Sequence, residues 1–179
     1  IILRNAMIQQ GMTVPISVGG AGARLEVPVS GTLDTAAVEL DLRAALSGAG
    51  TIKVIGTAAG KLQLEAPADA FTGELSLENP EVVLVDPAAA GSARRIAVKS
   101  GTLRTMADTL LPATVLQRSG TGRIGLSHNV TVGDFVVDGA VIPAGSHNGA
   151  ALLALGVPAD ALDDAGLQVS DINGLANYP

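Results

Sequence analysis

The chain has 179 residues, of which 47% are apolar and 2% aromatic, with no cysteine and a formal net charge of −6. Without cysteine, a disulfide framework, thiolate metal sites and cysteine nucleophiles are excluded. No run of about 18 apolar residues occurs, so a membrane-spanning helix is not expected.

The apolar content is Val, Leu, Ile and Ala, and the only rings are Phe71, Phe135 and Tyr178. Such side chains suit regular stacked layers better than an irregular core filled by aromatics. The 22 glycines follow no three-residue period, which excludes collagen. All 11 basic residues lie within residues 1–123. Beyond Arg123 the only charges are Asp134, Asp138, Asp160, Asp163, Asp164 and Asp171. Phosphate binding needs clustered Lys and Arg, so nucleic acid is not an expected partner. The acidic end reads as a solubilising cap.

At the start, Ile1-Ile2-Leu3-Arg4-Asn5-Ala6-Met7 lacks both an initiator Met and the layout of a signal peptide, which suggests a processed product or an excised segment. Met12 to Val18 is apolar and precedes Gly19-Gly20. It reads as a cap strand within the molecule or as a self-association strand presenting Val14, Ile16 and Val18. Period-two alternation, with aliphatic and polar residues on opposite faces, follows at residues 24–29, 38–43, 51–55, 61–65, 74–78 and 95–99. The runs 82–85 and 135–137 are apolar on both faces. Helix formers compete at residues 35–46, but the Val38, Leu40, Leu42 alternation favours a strand. Residues 158–166 suit a short helical cap, with Pro158 in the first turn and Gly166 at the far end.

Four Ser-Gly pairs, at Ser30-Gly31, Ser47-Gly48, Ser100-Gly101 and Ser119-Gly120, each lead into a short alternating run. A degenerate unit of turn and two-sided strand is how a stack of β-coils is written, since one coil cannot bury its own apolar face. The expected fold is therefore all-β, a right-handed parallel β-helix. An antiparallel β-sandwich or jelly roll is the alternative. Residues 1–29 form an N-terminal cap or donated strand, 30–145 the solenoid repeats, and 146–179 an acidic capping segment, within one domain.

Catalytic patterns are sparse. His128 and His147 each sit in a Ser-His-Asn triplet beside a turn, and zinc needs three or four converging ligands. There is no Gly-x-Ser-x-Gly elbow and no phosphate-cradling loop of the Gly-x-x-x-x-Gly-Lys type. Gly19-Gly20-Ala21-Gly22 reads as a sheet turn. Asp134 with Asp138, and Asp163 with Asp164, are the carboxylate pairs to weigh for glycan cleavage, but a cleft with stacking aromatics is hard to build from three rings. No catalytic residue, metal ligand or cofactor is assigned.

From Ala45 onward the sequence resembles the autotransporter-associated β-strand repeats of bacterial surface proteins. The residues carrying this are Ala45-Leu46-Ser47-Gly48-Ala49-Gly50-Thr51-Ile52-Lys53-Val54-Ile55-Gly56, Gly60-Lys61-Leu62-Gln63-Leu64, Ala70-Phe71-Thr72-Gly73, and residues 130–146. The chain departs from that pattern at Ala66-Pro67-Ala68-Asp69 and in its many charged strand positions. The resemblance implies a parallel β-helix in an exported protein at the bacterial surface or outside the cell, serving as stalk, adhesin shaft or display scaffold without chemistry of its own. Two other readings stand beside it: a subunit of a self-assembling extracellular filament, and a glycan-binding or glycan-cleaving module. The expected partners are the rest of its parent chain, identical copies, or host and surface glycans.

Overall fold

The computed structural model describes residues 1–2, 6–9, 16–68, 70–161 and 167–169. The chain winds as a parallel β-solenoid. The first coil carries β1 (Ala6–Gln9), β2 (Ile16–Val18) and β3 (Arg24–Glu26). The second carries β4 (Ser30–Asp34), β5 (Glu39–Leu42) and β6 (Ala45–Gly48), and the third β7 (Thr51–Ile55), β8 (Lys61–Leu64) and β9 (Ala70–Phe71). Then follow β10 (Glu74–Glu78) with β11 (Glu81–Leu84), β12 (Arg95–Val98) with β13 (Thr102–Thr105), and β14 (Thr109–Arg118) with β15 (Arg123–Gly125).

Each strand pairs in parallel with its equivalent in the next coil. On the first face the order is β1, β4, β7, β10, β12, β14, and on the second β2, β5, β8, β11, β13, β15. The third face holds β3, β6 and β9. On the first face Ser30 pairs with Thr51, Thr51 with Glu74, Glu74 with Arg95 and Arg95 with Val115. The six strands of the second face, at roughly 4.8 Å spacing, span about 25 Å, and the first face runs on through Val130–Val137 and Leu167–Val169. Within residues 1–29, β1, β2 and β3 each pair with a strand of the second coil, and Ile16–Val18 lies in register with Leu40–Leu42.

Period-two alternation explains the interior. On the first face Ile52, Leu75, Ile96, Leu116 and Phe135 lie directly above one another, as do Leu33, Val54, Leu77 and Val98. The second face supplies Leu40, Leu62, Val82, Leu103 and Ile124. All of these are buried in one continuous core. Aliphatic columns of this kind fill the space evenly because a β-branched or leucine side chain packs against its own kind one layer away.

The stack ends in a reversal. After β16 (Val130–Val137), which pairs in parallel with β14, the turn Asp138-Gly139 (φ 48° and 86°) folds β17 (Ala140–Ile142) back antiparallel. Two successive left-handed residues are what a two-residue hairpin turn of matching twist requires. Next come β18 (Gly145–His147), α1 (Gly149–Ala154), a 3-10 turn at Ala159–Ala161, and β19 (Leu167–Val169), which pairs with both β16 and β18.

The structure differs from the sequence reading at several points. Residues 35–46 are β5 and β6, as the alternation indicated. The cap expected at 158–166 is only the 3-10 turn Ala159–Ala161 as far as the described residues reach, and 162–166 lie outside them. The α-helix forms earlier, where the Asn148 side chain accepts from the Ala151 N–H and Gly156 (φ 86°) ends it. Asn is a strong N-cap, and a left-handed Gly just past the last turn is a strong stop. The Ser-Gly pairs are not equivalent positions: Ser30-Gly31 lies inside β4, Ser47-Gly48 closes β6, and the other two turn the corner between the first and second faces. Only two pairings are antiparallel among the described residues, both in the C-terminal closure, so the sandwich alternative does not describe this chain.

Candidate functional site

The residues singled out for chemistry are scattered, and most serve the backbone. His128 Nδ1 lies 3.2 Å from the Thr105 carbonyl oxygen, and His147 Nε2 lies 2.8 Å from that of Pro143. In each case a ring nitrogen serves a turn one coil or one hairpin away. No group of three or more His, Asp or Glu is arranged to hold a metal among the described residues.

Asp134 and Phe135 are both buried in β16, Phe135 at the end of a core column, so neither lines an open cleft. Asp138 is bound differently. One carboxylate oxygen accepts from the Arg118 guanidinium and the other from the Gly120 N–H at 3.1 Å. Asp163 and Asp164 lie outside the described residues. Val14 also lies outside them; Ile16 is in β2 beside Leu40, and Val18 is partly buried against the core.

The polar feature that sequence reasoning missed is Arg118. It occupies the strand position filled by Val98 in the coil below and Val137 in the coil above. Its guanidinium is buried, and Nε and one terminal nitrogen donate to the carbonyls of Gly122 and Gly120 at 2.9 and 2.8 Å. A buried charge must be paired and hydrogen-bonded to be tolerated. Here the planar fork meets two carbonyls and a carboxylate, a geometry that Lys cannot copy. The signal in the sequence was a charged residue closing an otherwise aliphatic strand end. It fastens the last corner of the parallel stack to the turn that reverses it.

Outside the core, charged side chains pair from one coil to the next. Lys61 meets Glu39 at 2.9 Å, Arg43 meets Glu65 at 2.9 Å, and Arg104 meets Glu81 at 2.8 Å. Lys53 and Lys99 approach Glu78 from the coils on either side, at 2.8 and 3.3 Å. The hydrogen bond from Lys53, reinforced by Lys99, holds the Glu78 carboxyl below the usual carboxylate range, and Lys61 does the same for Glu39. These pairs are partly exposed, and each is worth less than about 1 kcal/mol. They also favour the observed register, because a slipped coil moves Lys61 from Glu39 and Arg104 from Glu81.

The corner between the first two faces carries a shallow groove of about 400 Å³ lined by Asn79, Glu81, Ser100, Thr102, Thr121 and Arg123. Glu81 is engaged by Arg104 and Arg123 by Asp160, while Ser100 Oγ donates to Asn79 Oδ1. The groove is polar and bound to itself rather than converging on a reacting atom. What the arrangement does best is hold one coil on the next. No protein-family model, curated protein or solved structure matches this chain.

Proposed function

We propose that the chain is a non-enzymatic structural segment of an exported bacterial surface protein, acting as a stalk, adhesin shaft or display scaffold. The observation that carries this reading is the stacking of aliphatic residues from coil to coil into one core, combined with outward faces whose charges bridge neighbouring coils. Such a body sets a distance and presents side chains at fixed spacing, and each coil rests only on its neighbours. The resemblance of residues 45–56, 60–64, 70–73 and 130–146 to autotransporter-associated repeats supports the export and the surface location.

The test combines location with modularity. In its host the protein is expected in the surface or secreted fraction, open to protease added to whole cells. Excising residues 53–75, one coil, is expected to leave a folded, shorter stack that still supports display. Two results would overturn the reading: confinement to the cytoplasm, or loss of the native phenotype when the groove changes Thr102→Ala and Thr121→Ala leave fold and display intact.

A further inference from the structure

We propose that the C-terminal closure is an autoinhibitory cover: it occupies the edge of β16, and when it opens β16 pairs with the same strand of a second copy. The strand is chemically suited to such pairing. Its eight residues, Val130-Thr131-Val132-Gly133-Asp134-Phe135-Val136-Val137, include five that are β-branched, one charge and no proline, and seven of the eight are buried. Among the described residues the only longer strand is β14, which carries Pro112 and Arg118. Segments of high β-propensity, low charge and no proline pair with identical segments once their edge is open.

The cover lies on β16 in two pieces. β17 runs antiparallel along Phe135–Val137, and β19 runs parallel along Val130–Val132. Neither piece continues the winding as a full parallel coil. In place of an eight-residue edge the closure presents β17 and β18, three residues each, and β17 stops at Pro143. Short strands and proline are how natural proteins blunt an edge.

The closure is held by apolar docking and by two ion pairs. Ile142, Leu152, Val157, Ala161 and Leu167 all join the core. Arg118 grips Asp138, and Arg123 meets Asp160 at 2.5 Å. Both arginines belong to the last parallel coil. A three-residue strand and a six-residue helix make a small cooperative unit, which opens before the stack beneath it does. This device goes beyond the scaffold reading and does not depend on where the chain is displayed.

Leu152→Ala and Arg118→Met weaken the closure from two sides. Each is expected to raise the open population, and with it the rate of association, about tenfold or more. Hydrogen exchange at Ala140–Ile142 reads opening, and sedimentation velocity of the same samples reads association. Because the chain has no cysteine, Val136→Cys with Val141→Cys supplies a lock. The two positions are directly opposed, one step from a two-residue turn, where Cα atoms lie about 4.5 Å apart and a disulfide fits. Added to Leu152→Ala, the oxidised lock is expected to return sedimentation to that of the unaltered chain, and reduction to restore association. If Leu152→Ala fails to fold by circular dichroism, Arg118→Met carries the same comparison. Faster exchange at Ala140–Ile142 without association, or equal association of the oxidised and reduced forms, would overturn the proposal.

Discussion

Gly73 marks one of the closest approaches of two coils, and replacing it with alanine tests how rigid their spacing is. A Cβ at this position would lie 1.9 Å from the Gly50 carbonyl oxygen and 2.9 Å from the Phe71 ring. Relief needs an opening of about 1 Å, because side-chain carbons do not approach oxygen much closer than about 3 Å at close-packed density. Neither neighbour yields easily. The Gly50 oxygen accepts from the Glu74 N–H at 3.1 Å, the Gly73 oxygen accepts from the Arg94 N–H at 2.8 Å, and Phe71 is fully buried. Opening the corner removes the Glu74 bond at about 1 kcal/mol and misfits Phe71 at about 1–3 kcal/mol. The expected loss is about 2–4 kcal/mol, which lowers Tm by roughly 5–15 °C in a chain of this size. Gly20→Ala is the control, since nothing lies within 4 Å of its Cβ, and it is expected to stay within about 0.5 kcal/mol of the parent. Urea and thermal unfolding followed by circular dichroism read both variants. Equal midpoints for the two would refute the claim that the coils cannot part at this corner.

Arg118→Met removes the fork that joins the last corner to the reversing turn and takes the arginine donor from two carbonyls and from Asp138, which keeps the Gly120 N–H. The expected cost is about 2–3 kcal/mol, below the usual range for breaking a buried pair because Asp138 reaches water. Hydrogen exchange should rise first in Ala140–Ile142, and Arg118→Lys should not rescue it. Thr105 Oγ1 is buried without a hydrogen-bond partner and stands in line with Leu64 and Leu84. Thr105→Val should therefore stabilise by about 1 kcal/mol, seen as a higher urea midpoint with unchanged slope. Glu78 has a folded pKa lowered chiefly by the Lys53 hydrogen bond. Its contribution is present above the unfolded carboxyl value near about 4.3 and is lost as pH falls through the lower folded value. Glu78→Gln should flatten the acid limb of the stability profile, and an unchanged limb would count against the pairing.

Most of the strand faces could be read from the chain because period two is written plainly in segments such as Lys61-Leu62-Gln63-Leu64 and Glu74-Leu75-Ser76-Leu77. One face buried and one solvated is a strong local constraint, and it settled residues 35–46 against their helix propensity. The repeat itself was legible only loosely. The Ser-Gly pairs are not equivalent, one lying inside a strand and two turning the same corner, because a tight turn needs small or left-handed residues wherever it falls and Asn79 or Ala36 can take that conformation too. The C-terminal closure was mostly hidden. Asn148 as a cap and Gly156 as a stop are short-range signals, but the reversal at Asp138 depends on Arg118, a residue one coil away in space. A charge closing an aliphatic strand marks the position, but Asp34 and Glu78 close strands in the same way and stay at the surface, so that pattern does not single out a buried arginine.

Every coil is templated by the one before it, and the C-terminal end is sealed by an antiparallel reversal. As the chain emerges during synthesis, its early turns can settle before the final reversal exists, so folding resembles thread wound onto a spool and fastened last. Pulled from its two termini, the molecule should release that thread in steps of one winding, each worth about the extended length of some twenty residues. The fastening at Arg118 sets the force at which release from the sealed end begins.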